Sequence, residues 1–177
     1  MTEARLAEDG KHGGLEPETD GWFVVNARAT VWRDGDHGKS CVFESNAARF
    51  PQLGIDLKIL EPGQPMCMYH RENAQEDFLV LAGECLLIVE GEERPLRRWD
   101  FVHCPAGVDH VFVGAGDGPS LVLATGHRPE AEELVYPADP VAQRHGAAVT
   151  VETADPDEAY AGYAGGRVRY EDGWLPG

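Results

Sequence analysis

From Trp22 to Arg128 the chain alternates short strand-like runs with turn residues, and this rhythm constrains the fold more than any other feature. The runs are rich in Val, Ile, Leu, Phe and Trp, and each is bounded by Gly, Pro, Asp or Asn. No helical periodicity interrupts them between Gly54 and Arg128. Short strands with Gly-rich turns are typical of an antiparallel sandwich or barrel, so the sequence predicts an all-β domain.

Two segments inside this domain predict reversals of the chain. Val89–Pro95 (VEGEERP) separates two apolar runs, and Gly114–Ser120 (GAGDGPS) separates two more. Glycine adopts the positive φ angles that tight turns require at little cost. We therefore expect the chain to reverse direction at each segment.

The composition changes on both sides of the predicted barrel. Residues 1–20 are acidic and carry few large apolar side chains, which predicts a flexible acidic tail. The barrel is expected over residues 21–128, followed by a C-terminal extension over residues 129–177. Short helices are expected in the extension, because Asp139 precedes Pro140 and Asp155 precedes Pro156, a typical helix start.

The net charge of −16 narrows the classes of partner. Such a field repels nucleic-acid backbones and anionic lipids, so we expect no nucleic-acid and no membrane partner. No apolar run approaches the roughly 20 residues of a membrane span, and the first residues lack the apolar core of a secretory signal. These features predict a cytoplasmic protein.

Ionisable residues cluster inside one apolar stretch, Pro62–Glu84. In an extended strand alternate residues share a face, which would place Met66, Met68, His70 and Glu72 together. A matching set, beginning with Glu76, is expected on the next strand. Burying an ionised carboxylate is costly without a cation or strong donors, and a metal dication would satisfy both carboxylate and imidazole.

A second segment of this kind lies at residues 97–114 (RRWDFVHCPAGVDHVFVG). Pro105 and Gly107 shape a tight turn, and His110 opens the following strand on the same face as Phe112. The turn would direct the imidazole of His110 toward the barrel interior. Taken alone, each of these histidines is also compatible with a structural role, and Glu76 with an ion pair to an arginine.

Together the two segments resemble the motifs of the cupin superfamily. The first motif of the family reads G-x5-H-x-H-x3/4-E-x6-G, and the chain matches it with Gly63, His70, Glu72, Glu76 and Gly83. Glu72 stands at the second histidine, and the spacing after Gly63 is one residue longer than in the pattern.

The second family motif reads G-x5-P-x-G-x2-H-x3-N. Pro105, Gly107 and His110 match it, while Trp99 replaces the first glycine and Gly114 replaces the asparagine. The resemblance covers about residues 57–126 and implies a double-stranded β-helix, or jelly-roll, cupin barrel with a short helical C-terminal appendix.

The resemblance further implies that His70, Glu76 and His110 are ligands of one divalent transition metal ion. Glu72 is a candidate fourth ligand and also the candidate catalytic residue, since it could act as a base; a turn after His70 could instead expose it. Imidazole and carboxylate suit Zn, Mn, Fe, Ni or Co.

Three functions remain compatible with these residues. The first is a metal-dependent enzyme, of dioxygenase or isomerase type, acting on a small organic molecule inside the barrel. Met66, Met68, Phe78 and Phe112 would line its pocket. The second is a non-catalytic small-molecule or metal-binding module, and the third is a structural cupin with a vestigial site. A homodimer is expected from the family and from the exposed strand edges of such a barrel.

Overall fold

Strands dominate the architecture of the computed structural model, which describes residues 2–131 and 133–176. The strands of the N-terminal half are β1 (Leu6–Glu8), β2 (Leu15–Pro17), β3 (Val31–Gly35), β4 (Gly38–Val42), β5 (Leu53–Leu60), β6 (Arg71–Glu72) and β7 (Glu76–Ala82). Those of the C-terminal half are β8 (Glu84–Val89), β9 (Glu92–Arg97), β10 (Phe101–Cys104), β11 (His110–Ala115), β12 (Ser120–His127), β13 (Leu134–Val135) and β14 (Gly165–Arg169).

A large sheet and a small sheet enclose the interior. The large sheet has the order β10-β7-β12-β5-β4-β3-β14, and the small sheet has the order β11-β8-β9. Every pairing in both sheets is antiparallel. This arrangement confirms the predicted all-β jelly-roll fold. Both predicted reversals are present: the first joins the paired strands β8 and β9, and the second leads from β11 in the small sheet to β12 in the large sheet.

The helical part is small, as the sequence predicts. Helix α1 spans Pro140–Arg144 and helix α2 spans Pro156–Ala159, and one 3₁₀ turn lies at Ala27–Ala29. Asp139 and Asp155 cap the two helices, each accepting a hydrogen bond from a backbone amide two or three residues ahead. Within residues 2–131 and 133–176, no helix is long and apolar enough to cross a membrane.

The N-terminal segment pairs with itself. Strands β1 and β2 form a separate two-stranded sheet, and Arg167 of β14 contacts Asp9 and Glu16 beside it. The predicted division into a flexible tail (1–20), a barrel (21–128) and an extension (129–177) stays a prediction. The ion pairs show only where the two ends of the chain meet.

The interior between the sheets is apolar below the polar residues of the two motifs. Its buried members are Leu60, Met66, Phe78, Val80, Cys85, Leu87, Cys104, Phe112 and Val122. Successive residues of a strand point to opposite faces of the sheet. The side chains just named therefore point inward, and their neighbours, such as Ile59 and Leu121, belong to a different apolar cluster on the outer face of the large sheet.

The stretch from Met66 to His70 departs from the regular strand expected there. It runs beside β11 through single hydrogen bonds, such as Met66 N to Phe112 O at 2.8 Å, and only Arg71–Glu72 is a strand. Met68 consequently does not share a face with Met66. It packs against Tyr136 and Ala159 of the C-terminal extension, because its amide turns to the Tyr160 hydroxyl.

Trp99 occupies a backbone conformation that suits glycine. Its φ is 79°, its side chain is 62% exposed, and Glu90 is the other non-glycine residue with positive φ among those described. The left-handed region costs an L-residue about 1–2 kcal/mol. The family pattern has glycine at this position, so the sequence motif reflects a backbone requirement.

Replacing Trp99 with glycine is therefore expected to raise the free energy of unfolding by about 1 kcal/mol, or Tm by about 2–4 °C. Trp99→Ala removes the same exposed ring but keeps the strained φ, so it should give no such gain. Urea and thermal unfolding of both variants test this. Equal stability of the two variants would mean that the backbone is not strained here.

Candidate metal centre

A reciprocal pair of backbone hydrogen bonds joins the two motifs. The His70 amide donates to the His110 carbonyl at 3.1 Å, and the His110 amide donates to the His70 carbonyl at 2.8 Å. In antiparallel chains this pairing places the two residues directly opposite each other. The imidazole rings accordingly lie beside each other, with centroids 4.8 Å apart.

Both imidazoles are oriented through Nδ1. His70 Nδ1 lies 2.8 Å from the Met68 carbonyl, and His110 Nδ1 lies 3.0 Å from the Val108 carbonyl. A carbonyl can only accept, so Nδ1 carries the proton in each ring and Nε2 is left with a lone pair. This is the arrangement that second-layer carbonyls impose on metal-binding histidines.

Glu76 completes a three-atom cluster with these two Nε2 atoms. It is the first residue of β7, and its Oε2 lies 3.1 Å from His110 Nε2 and 3.5 Å from His70 Nε2. All three candidate ligand atoms lie within 4.8 Å of one another. Ligands about 2.0–2.2 Å from a shared ion are separated by roughly 3.0–3.5 Å, and the distances from Glu76 Oε2 to the two Nε2 atoms lie in this range.

Two of these atoms are buried without a hydrogen bond. Glu76 Oε2 and His110 Nε2 have no partner of acceptable geometry among the described residues, although they lie close together. Buried polar atoms are rarely left so, because each costs about 1–3 kcal/mol. These two atoms lie 3.1 Å apart with His70 Nε2 beside them, as ligands of a common cation do, and the residues therefore fit a metal ion.

The pKa shifts of Glu76 and His70 also indicate that the site favours a positive charge beside the carboxylate. Burial opposes ionisation of Glu76, but the adjacent imidazoles of His110 and His70 outweigh it and hold the pKa of Glu76 well below its ordinary value. Burial also disfavours the imidazolium of His70, but Cys67 and Glu76 outweigh it and raise the pKa of His70 well above 6.5. The carboxylate thus keeps a positive charge beside it.

Glu72 faces the same cavity but lies outside the three-atom cluster. It is half-buried in β6, and its backbone carbonyl accepts from the Gly107 amide at 2.8 Å. A Cβ placed on Gly126 would meet Glu76 Oε1 at 3.7 Å and Glu72 Oε1 at 3.9 Å, so both carboxylates flank this glycine. Glu72 is therefore not thrown outward by the turn after His70.

A cavity of about 350 Å³ opens directly above the cluster. Met66, Phe78 and Phe112 line it as expected from the sequence, whereas Met68 does not and Cys67 does. The prediction for Met68 is wrong because the irregular backbone at residues 66–70 breaks the alternation on which it depended. The volume is at the lower end of the range for small-molecule sites.

Two tyrosines of the C-terminal extension also line this cavity, although no sequence motif predicts them there. Tyr136 is 3% exposed, and its ring lies 6.3 Å from that of His70. The Tyr160 hydroxyl accepts from the Met68 amide at 3.2 Å, and burial raises the pKa of Tyr160 above its ordinary range. No local pattern reveals them, because only the tertiary fold brings residues 136 and 160 to the barrel mouth.

The inward face of β5 supplies a third group of lining residues. Gly54, Asp56 and Lys58 alternate along the strand and all face the cavity. Their period-two spacing is visible in the segment GIDLKIL, which could have been recognised as a polar inner face.

One family model matches the central part of the chain. Residues 57–126 match the model of the family described as "Cupin domain". These residues form a cupin domain, in agreement with the fold and with the order of the two motifs. No curated protein matches the chain.

Solved structures of similar fold come from bacteria. A sugar phosphate isomerase from Silicibacter pomeroyi is 27% identical, with a TM-score of 0.52, and the match covers 58% of this chain and 74% of that one. The polyketide cyclase RemF from Streptomyces resistomycificus is 14% identical, with a TM-score of 0.55, over 70% of this chain and 93% of that one. A structure from Acidithiobacillus ferrooxidans is 28% identical, with a TM-score of 0.45, and the match covers 47% of this chain and 55% of that one.

A partly buried ion pair holds one side of the cavity mouth. Arg128, which lines the cavity, donates from Nη1 to Glu44 Oε2 at 2.8 Å and pairs with Glu44 Oε1 through Nη2. Burial raises the pKa of Glu44, but Arg128 and the Phe50 amide outweigh it, so the pKa of Glu44 lies below 4.5. Both side chains are about one-quarter exposed.

Because the folded state depresses this pKa, the pair stabilises above the unfolded-state pKa of about 4.5 and loses its effect as pH falls through the folded-state value. Glu44→Gln is expected to lower the free energy of unfolding by about 1–2 kcal/mol at pH 7, with a smaller difference from wild type at pH 3.5. Urea unfolding at both pH values measures this.

Glu92→Gln is the matched control, because Glu92 pairs with Arg94 on the exposed surface. It should change stability little at either pH. An effect of Glu44→Gln that does not decrease at low pH would show that the amide disrupts packing rather than an ion pair.

Proposed function

We propose that the chain is a metal-dependent enzyme acting on a small organic molecule inside the barrel. Its metal ion would be held by His70, Glu76 and His110. The observation that carries this proposal is the convergence of two buried, unpaired ligand atoms, Glu76 Oε2 and His110 Nε2, with His70 Nε2 beside them. A vestigial site would have no reason to retain buried polar atoms without hydrogen bonds below a 350 Å³ cavity.

The donor set suits one divalent transition metal ion, with Zn, Mn, Fe, Ni and Co as candidates. Two imidazoles and one carboxylate leave positions open for water or substrate. When bound, such an ion acts as a Lewis acid that polarises a carbonyl or hydroxyl oxygen. Glu72 is available as a fourth ligand or as a base.

Isomerase chemistry is the sub-case that we favour, because the Silicibacter pomeroyi structure is a sugar phosphate isomerase. Aldose–ketose isomerisation moves a proton from the carbon next to a carbonyl to the former carbonyl carbon, while the hydroxyl proton of that neighbouring carbon passes to the former carbonyl oxygen. Glu72 would accept this proton and return it, since its carboxylate faces the cavity beside Gly126. The apolar side chains of Met66, Phe78 and Phe112 would limit access of water from below.

Two alternatives remain as outcomes of the tests. A dioxygenase would use the same ligands and consume oxygen. A non-catalytic module would bind a small molecule without converting it.

As further proposals, the protein acts in the cytoplasm and forms a homodimer. The edge strand β10, with Phe101 64% exposed, supports dimer formation. The acidic surface argues against nucleic-acid and membrane partners.

The metal site is tested by metal analysis after purification and after reconstitution. Wild type should hold about one transition metal ion per chain, and His70→Ala or His110→Ala should weaken binding by at least about a hundredfold, more than the loss of a supporting group costs. His103→Ala is the control, because His103 pairs with Asp77 outside the cluster. A wild type that takes up no metal would overturn the proposal.

The role of Glu72 is tested by proton exchange. Aldose and ketose phosphates are incubated with metal-loaded enzyme in D2O, and NMR detects deuterium next to the carbonyl. Glu72→Gln should retain the metal and slow exchange by about 10²–10⁴-fold, the usual contribution of a positioned base. Loss of metal in this variant would make Glu72 a ligand. Oxygen uptake without exchange in wild type would favour the dioxygenase.

A further inference from the structure

Lys58 stands out among the residues that line the cavity. It is an inward-facing lysine on β5, only two positions from Leu60, which is fully buried in the apolar interior. Its side chain is 22% exposed. Lysine is seldom placed at such positions unless its charge has a partner, because desolvating an ammonium group is costly.

Asp56, the ion-pair partner of Lys58 among the described residues, does not occupy all the N–H donors of the ammonium group. Nζ lies 3.3 Å from Asp56 Oδ2, and the Asp56 side chain is 45% exposed. An ammonium group can donate three hydrogen bonds, and the partly exposed carboxylate of Asp56 occupies only one of them. Such a pair contributes little to stability in itself, which leaves the choice of lysine unexplained by folding.

The second cation of the cavity is already engaged. Arg128 bonds both oxygens of Glu44 and also the Phe50 carbonyl, so its fork is directed at protein groups. Lys58 is therefore the cation best placed to meet a ligand in the described part of the cavity wall. Three carboxylates, those of Asp56, Glu72 and Glu76, line the same space.

The register of the large sheet shows how far Lys58 lies along the barrel from Glu76, one of the candidate metal ligands. Glu76 lies opposite Gly126, which lies opposite Gly54, whereas Lys58 lies opposite Val122. Lys58 is thus four residues along β5 from the level of Glu76, but its Nζ turns back to Asp56, two residues nearer. At about 3.3 Å per residue, the ammonium lies roughly 7 Å from the level of Glu76 along the strand.

We infer that Lys58 binds the anionic end of the ligand, a phosphate or carboxylate group, while hydroxyl or carbonyl oxygens at the other end reach the candidate metal centre. This inference rests on the proposed function, since it assigns the substrate class of the same cavity: small polyhydroxylated organic anions. The chain as a whole carries a charge of −16, so a local cation is needed to make the cavity accept an anion. Screening over about 8 Å limits the opposing field of distant surface carboxylates.

Three probes of the same carbon skeleton test the assignment: glycerol, glycerol 3-phosphate and glycerate. Dissociation constants are measured by NMR titration of the Met66 methyl signal, in zinc-loaded and in metal-free protein. In zinc-loaded wild type, at least one of the two anions should bind at least tenfold more tightly than glycerol. The preference should fall below threefold in Lys58→Met and persist in Lys58→Arg.

Asp56→Asn provides a change in the opposite direction. It removes the carboxylate that competes for Lys58, so the preference for the anion should increase by about three- to tenfold. This variant keeps the test decisive if Lys58→Met folds poorly. A preference that is unchanged in both variants, or absent in wild type, would overturn the inference.

The experiments distinguish failure of the proposed metal-dependent enzyme from failure of the role assigned to Lys58. Lys58 is not a candidate ligand, so Lys58→Met should retain the metal, whereas His70→Ala should lose it. In metal-free protein the anion should still bind at least threefold more weakly to Lys58→Met than to wild type. Loss of metal binding with a retained Lys58 effect would contradict the enzyme proposal alone.

Discussion

The site depends on the reciprocal backbone hydrogen bonds between His70 and His110. These bonds join an irregular segment before β6 to the first residue of β11, so neither histidine is positioned by its own strand alone. The same local device then orients both rings, since each Nδ1 meets the carbonyl two residues earlier in the chain. Glu76 enters from the opposite sheet and meets two Nε2 atoms that are already directed toward it.

Because the cluster is buried, the charge of its carboxylate must be balanced by a positive charge beside it. A carboxylate beside two imidazoles below a cavity is expensive unless positive charge accompanies it, and the shifted pKa values of Glu76 and His70 show that a proton can serve in the metal-free state. A metal dication would replace this proton and also satisfy the unpaired lone pairs. Metal uptake and proton release are then linked, as in other sites whose ligands must be deprotonated.

Much of the fold and part of the site could be predicted from the sequence. Strand rhythm, Gly-containing turns and the caps Asp139 and Asp155 are local signals, and the structure confirms the elements they predict. Spacing within two motifs selected His70, Glu76 and His110, which the structure brings together. Met68 was misplaced because the strand alternation fails where the chain pairs through single bridges.

Several residues that shape the cavity lie outside the two motifs and outside the matched core. The family match covers residues 57–126, yet Gly54, Asp56, Tyr136 and Tyr160 line the cavity from outside that range. The ligand cluster is therefore a property of the matched core, whereas the walls above it come largely from β5 and the C-terminal extension. Ligand choice should follow these walls, because open metal positions discriminate weakly among small oxygen-bearing molecules. A cupin with the same ligands but another extension would present a different cavity to its substrate.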